Sequence, residues 1–336
     1  MIDFRYHLVS LISVFLALAV GIVLGAGPLQ DSIGSTLTEQ VSVLRADRDE
    51  LREQVDTASA AVTHRDEFAE ATTPALVGGA LTGRAVAVIA LPGVEDDVVE
   101  PLTEAIGTAG GSVTGRIRLT ENWTAADKEA DRTAALSTLA GELPSGYVPT
   151  EGTTAERLAQ VLATSTVSAA GSTLSGTGSA DAATALNGLS TAELIEVEGD
   201  LDGLASGAVL VVPANPEATG QPAATAADTD EVAPAYVALA GRLDATGGGA
   251  VATGPASAAT GGVITAIRDD EAVSADVSTV DTGTTAMGVV TAVLALEEQL
   301  SGATGAYGFG EGVDGILPPL ATRTEATDAA GKGDNP

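Results

Sequence analysis

Few residues in this chain of 336 are equipped for chemistry. It has no cysteine, two histidines (His7 and His64) and two methionines (Met1 and Met287). Without thiols there is no disulfide, no thiolate metal site and no cysteine nucleophile. Soft Cu(I) prefers Cys and Met, and Cu(II) prefers imidazole, so this inventory does not assemble a dedicated copper site. Ser257, Ser274 and Ser301 have no histidine near them in sequence, which argues against a nucleophilic triad. His64 sits one turn from Glu67 and Phe68 and reads as a solvated helix residue. Asp281-Thr282-Gly283 has the letters of an aspartic-protease signature, but it occurs once, at a strand-to-helix junction where helix capping is the expected role. Glu95-Asp96-Asp97 and Asp269-Asp270-Glu271 are able to attract hard cations weakly. The expected roles are a solvated helix cap for the first and a loop for the second. Neither G-x-G-x-x-G nor a Walker pattern follows a strand, and the acids at 95–97 repel phosphate from the helix that follows the first strand. The chain therefore reads as a non-enzyme without a cofactor.

The elements that would hold these residues begin with the amino terminus. Leu8 to Gly27 is a run of 20 uncharged residues, long enough as a helix to cross the ~30 Å hydrocarbon core of a bilayer. The rival is a cleaved signal peptide, but the apolar run exceeds the usual ~7–15 residues of one. Its best small-residue site, Gly25-Ala26-Gly27, is followed by the unfavourable Pro28. An uncleaved signal anchor is expected. Arg5 before the span and Asp31 after it place the tail in the cytoplasm and the bulk of the chain outside. Ser13, Ala17, Gly21 and Gly25 recur every four residues, a small-residue stripe on which two membrane helices are able to pair closely.

Pro28 reads as the first turn of the next helix or as a kink. From Leu37 the apolar positions step by four and three through Val41, Leu44, Leu51, Val55, Ala58 and Val62, with Arg48 in the one charged slot. With Leu37 at d, Val41 and Val55 fall at a, and Leu44 and Leu51 at d. β-Branched residues at a with Leu at d favour a parallel two-stranded coil. Asp47 at g is placed to meet Arg52 at e of a second copy, and Arg48 at a weakens the coil while fixing its register. The alternative is an amphipathic helix lying on its own domain. The organisation expected is a cytoplasmic tail and transmembrane signal anchor over 1–28, a coiled-coil stalk over 29–74, an α/β domain over 83–320 and a disordered tail over 321–336.

In the third region, Arg84–Leu91 reads as a buried strand, Asp96–Ala109 as a helix closed by Gly110-Gly111, and Ser112–Leu119 as a second strand, making a βαβ unit. Strands are expected again over 208–212, 249–254 and 277–280, with helices over 232–246 and 284–300. The stretch 124–200 reads as mostly helical, and 169–179 and 214–231 as loops. The alternation predicts a doubly wound, mostly parallel sheet of about five strands. A formal charge of −31, from 46 acidic against 15 basic residues, excludes nucleic-acid binding, which needs clustered Lys and Arg. A small-ligand pocket at the strand ends stays open.

The opening MIDFRYHLVSLISVFLALAVGIVLGAGPL, the stretches GRAVAVIALPGVEDD and TGRIRLTENW, and the closing YGFGEGVDGILPPL resemble, in order and over most of the chain, the mycobacterial-type copper transport protein B family (MctB-like). That resemblance implies a pore-forming outer-membrane protein that keeps intracellular copper low, with copper as the transported ion. The family overlaps SteB-like cell-separation proteins. For those the implied role is an extracytoplasmic coiled coil that activates a peptidoglycan hydrolase beside a SteA-like membrane partner. The residues fit the two roles unequally. An outer-membrane pore is normally a closed barrel of alternating strands, whereas this chain shows one apolar helix and short buried strands. The pattern favours a module that pairs with itself through membrane helix and coiled coil.

Overall fold

The computed structural model describes residues 4–26, 28–168, 177–199, 203–215 and 229–320. It divides into two units, Met1–Arg65 and Asp66–Pro336.

The first unit is helical. Helix α1 spans Phe4–Ala26; Phe4–Gly25 has a mean hydropathy of 2.7 and is, among the described residues, the one helix long and apolar enough to cross a membrane. Helix α2 runs from Pro28 to Val77, 50 residues, or ~75 Å at 1.5 Å per residue. Proline at its first position has no N–H to lose there and a φ already suited to a helix. The final turns of α2 belong to the second unit, where Val77 and, just beyond it, Leu81 are fully buried.

The second unit is built on one sheet in the order β3-β2-β1-β4-β5-β6-β7. The strands are β1 Ala85–Ala90, β2 Ser112–Leu119, β3 Ile195–Glu198, β4 Gly207–Val211, β5 Ala250–Thr253, β6 Ser278–Val280 and β7 Ala306–Tyr307. All neighbours pair in parallel except β2 and β3, so the sheet is mixed. The helices are α3 Asp96–Thr108, α4 Glu129–Glu142, α5 Thr154–Thr166, α6 Thr177–Thr191, α7 Thr229–Thr246, α8 Val263–Asp269 and α9 Ala286–Gln299. The side chains of β1 alternate between two cores. Ala87, Ile89 and Leu91 join residues of α4, α5, α6, α7 and α8, while Val86, Val88 and Ala90 join residues of α3, α9 and the end of α2. Burial on both faces explains why β1 and β4 read as unbroken apolar runs.

The sheet has seven described strands where about five were expected. Both additions are edges. β3 falls inside the stretch read as helical, and two of its four residues are glutamates; β7 is two residues long. Neither is long enough to show a period. Glu198 pairs with Arg116 at 3.3 Å and with Arg118 at 3.4 Å, tying the antiparallel edge to β2. Short and charged edges also discourage pairing with other sheets. Of the expected loops, 169–176 and 216–228 lie outside the described residues, as does the tail 321–336. Residues 177–179 and 229–231 instead open α6 and α7.

Candidate functional site

In open α/β sheets, ligands gather where parallel strands end. Here those ends are filled by glycine. A Cβ on Gly254 would lie 2.8 Å from Val212 O, one on Gly283 2.2 Å from Thr253 Oγ1, and one on Gly288 1.7 Å from Thr282 O. The loops after β4, β5 and β6 thus meet main chain to main chain.

At the centre of this edge lies Asp281, fully buried just past β6. Its Oδ2 accepts from both terminal nitrogens of Arg268 at 3.2 Å and from Gly310 N at 3.0 Å, and its Oδ1 accepts from Phe309 N at 2.9 Å. Arg268, in the last turn of α8, also donates from Nε to Thr279 Oγ1 at 2.9 Å and from its terminal nitrogens to Glu311 O at 3.2 Å and Tyr307 O at 3.4 Å. Gly308, at φ +131°, would put a Cβ 1.7 Å from Asp281 Oδ1. The carboxylate and guanidinium therefore clasp residues 307–311 onto the sheet. Next to the clasp, Tyr307 donates from its hydroxyl to Glu298. Burial first, then that hydrogen bond and the charges of Glu298 and Asp314, push the phenol's pKa up.

The clasp corrects the capping role expected of Asp281. Helix α9 is capped by Thr285, whose Oγ1 accepts from Gly288 N at 3.0 Å. An aspartate with this many partners holds its loop and has no oxygen to offer a substrate. The sequence hid the arrangement because Arg268 lies 13 residues away and the loop amides 28 and 29 residues away.

The other acids are structural too. Asp96 and Asp97 lie in the first turn of α3, where they favour the helix dipole, but Glu95 makes no side-chain cap. Asp96 meets Arg118, which also donates to Val94 O at 2.6 Å. Asp270 Oδ1 accepts from Ala272 N and Val273 N at 3.1 and 3.0 Å, closing a tight turn. Among the described residues, no group of three or more His, Cys, Asp or Glu is arranged to hold a metal ion. His7 and His64 are exposed on α1 and α2.

In the first unit, Ser13, Ala17, Gly21 and Gly25 are exposed along α1, and Cβ atoms on the two glycines would meet nothing. Ser13 Oγ donates to Val9 O at 2.8 Å. Val41, Leu44, Leu51, Val55, Ala58 and Val62 are exposed along α2, while the side chain of Leu37 lies outside those described. Arg48 folds back onto Asp49 at 2.7 Å.

The profile of a family described as "Copper transport outer membrane protein, MctB" matches residues 1–318, from α1 to the loop beyond the clasp. The chain belongs to the MctB family. Among its relatives, proteins named "Copper transporter MctB" from Mycobacterium bovis (strain ATCC BAA-935 / AF2122/97) and Mycobacterium tuberculosis (strain ATCC 25618 / H37Rv) are each 31% identical over 318 residues, covering 93% of this chain and 98% of theirs. One of the same name from Mycobacterium leprae (strain TN) is 31% identical over 328 residues, 95% of this chain and all of that protein. This MctB-family chain has an open sheet with helices on both faces as its described strand structure, preceded by one apolar helix.

Proposed function

We propose that this MctB-family chain is a non-enzymatic cell-envelope protein that takes part in copper homeostasis by assembly. In this reading α1 is a single-pass anchor, residues before it are cytoplasmic, and α2 is a stalk that pairs with a second copy as a parallel coiled coil. The stalk holds out a doubly wound α/β domain on the extracytoplasmic side. The copper connection comes from the names of relatives matched along nearly their whole length. The observation that carries the assembly role is the exposed apolar seam of α2, directly after an apolar helix of membrane length. Two chains anchored by the same end in one membrane run parallel, the geometry that β-branched a and Leu d positions favour. The donor inventory, without Cys and with two His and two Met, supports an indirect effect on copper over a conduit that ligates it.

The same seam supports a second reading: a scaffold that activates a cell-wall hydrolase during cell separation, beside a SteA-like membrane protein. Intracellular copper in a strain lacking the protein separates assembly from conduction. Restoring a chain with Leu44, Leu51 and Val55 changed to Asn should leave copper high. Restoring one with His7, His64 and Met287 changed to Ala should return it to normal. The reverse pattern would move the function to direct conduction. Normal copper with both, together with unseparated cells for the first variant, would favour the scaffold.

A further inference from the structure

The clasp secures a segment whose outer face is apolar. Beyond α2, five large apolar side chains are exposed among the described residues, and four of them, Phe309, Ile316, Leu317 and Leu320, fall within 309–320. Single exposed apolar residues are ordinary, but a gathering of them marks a contact surface. The backbone brings the two ends of this loop together. Tyr307 bridges Gly315 in parallel, and Gly308 N donates to Gly315 O at 3.0 Å, so the stretches around 309 and 316 lie side by side. Asp314 ties the loop again, its N donating to Ala306 O at 2.8 Å and its Oδ2 accepting from Ala306 N at 2.9 Å. Pro318 is buried and seats the far end.

A loop held this firmly does not collapse over its own apolar groups, and it loses little conformational freedom when a partner meets it. The rest of the chain offers it no cover. Residues 216–228 and 321–336, the longest stretches outside the described ones, contain no Val, Leu, Ile, Met or aromatic residue.

Charge narrows the choice of occupant. Glu311 and Asp314 are exposed within the loop, while the guanidinium of Arg268 is turned to Asp281. A second copy would set these acids against themselves, and like charges facing across an interface oppose association. Anionic lipid is repelled in the same way. The backbone narrows the choice further. Leu317 and Pro318 each precede a proline, which keeps both out of the helical region and the stretch extended. Leu317, Pro319 and Leu320 are exposed along it. Extended proline-containing segments dock in grooves lined with aromatic side chains. We propose that residues 309–320 dock in a groove of a partner protein that is lined by aromatic side chains and rimmed by Lys or Arg. Phe309 and Ile316 enter beside Leu317–Leu320, and Glu311 meets the basic rim. The inference stands on the α/β unit alone and does not require α2 to pair.

The test is photocrosslinking of the full chain in its own cells. The probe is a benzophenone side chain placed at position 309 or 320, with the exposed position 196 on β3, at the opposite edge of the sheet, as the control. Adducts are mapped to the residue by mass spectrometry. The expected result is one adduct from both positions on the same protein, at or beside aromatic residues with Lys or Arg alongside, and little from position 196. Ile316→Asn with Leu317→Asn should lower the yield from position 309 about tenfold or more, and Glu311→Lys about threefold. An unmoved thermal transition of each variant shows that the loop's surface, and not the fold, has changed. The proposal is overturned by adducts on lipid or on a second copy, by mapped residues without aromatic neighbours, or by yields no higher than at position 196. Wild-type yield in either variant overturns it as well. Glu311→Lys keeps the test decisive should the Asn pair misfold.

Discussion

The two units spend their apolar residues in opposite ways. In the first, Leu16 of α1 and Leu44 of α2 are each 66% exposed. In the second, Ile89, Ile106 and Leu158 are all at 0%. Burial stabilises by roughly 25 cal/mol per Å² of apolar surface. The α/β unit has collected that energy within one chain, whereas the helical unit has collected almost none. A lone helix in water draws little stability from propensity. The contrast teaches that α1 and α2 leave their apolar residues without cover inside the chain, the surface that the proposed lipid and helix contacts would bury, whereas the α/β unit is completed from within.

The largest test strikes the completed unit. Asp281→Ala leaves the guanidinium of Arg268, 11% exposed as a side chain, without its carboxylate. Breaking such a pair typically costs ~3–5 kcal/mol, so calorimetry of the full chain should show the α/β transition lowered by on the order of 10 °C. A shift below about 2 °C would mean that the clasp contributes little to that unit. The next test strikes the incomplete unit. Leu44→Asn with Leu51→Asn should cut disulfide crosslinking between copies through single cysteines placed along α2 by about tenfold, with the α/β transition unmoved. Unchanged crosslinking would exclude this seam and return α2 to a helix lying on its own domain.

The smallest effect concerns acid. Hydrogen bonds from Thr154 and Arg132 lower the folded pKa of Glu129, and those from Thr153 lower that of Glu156. The unfolded chain then binds more protons than the folded one in acid. The stabilisation is complete above the unfolded glutamate value of about 4.3 and is lost as pH falls through the lower folded values. Both groups are largely solvated, so screening keeps the total to about 1 kcal/mol or less. Unfolding curves between pH 6 and pH 3 should show a shallower decline for Glu129→Gln than for wild type. An identical slope would remove Glu129 from the account.

What the sequence revealed follows from the length of its patterns. β1, α3, β2 and α9 were legible because each is bounded by glycine or proline and long enough to repeat its period. β3 and β7 were not, since a four-residue strand with two glutamates and a two-residue strand have no period to read. The triplet at 281–283 was located correctly as a strand-to-helix junction but assigned the wrong task. Local rules see Thr285 and Asp281 as equal candidates for a cap. Only the fold brings Arg268 and the amides of Phe309 and Gly310 to the aspartate. The small-residue and apolar repeats of α1 and α2 were visible because helical repeats are local.

The clasp hangs Phe309 and Gly310 from two carboxylate oxygens by their amides, and Gly308 and Gly310 leave empty the space that a side chain would take from the carboxylate. Nothing in that grip involves the outward side chains of Phe309, Ile316 and Leu317, which stay exposed. The segment is thus fixed in position and in its glycines, while the side chains it turns outward are free in identity. Its decoration is open to drift, or to selection by whatever touches it, without the domain loosening.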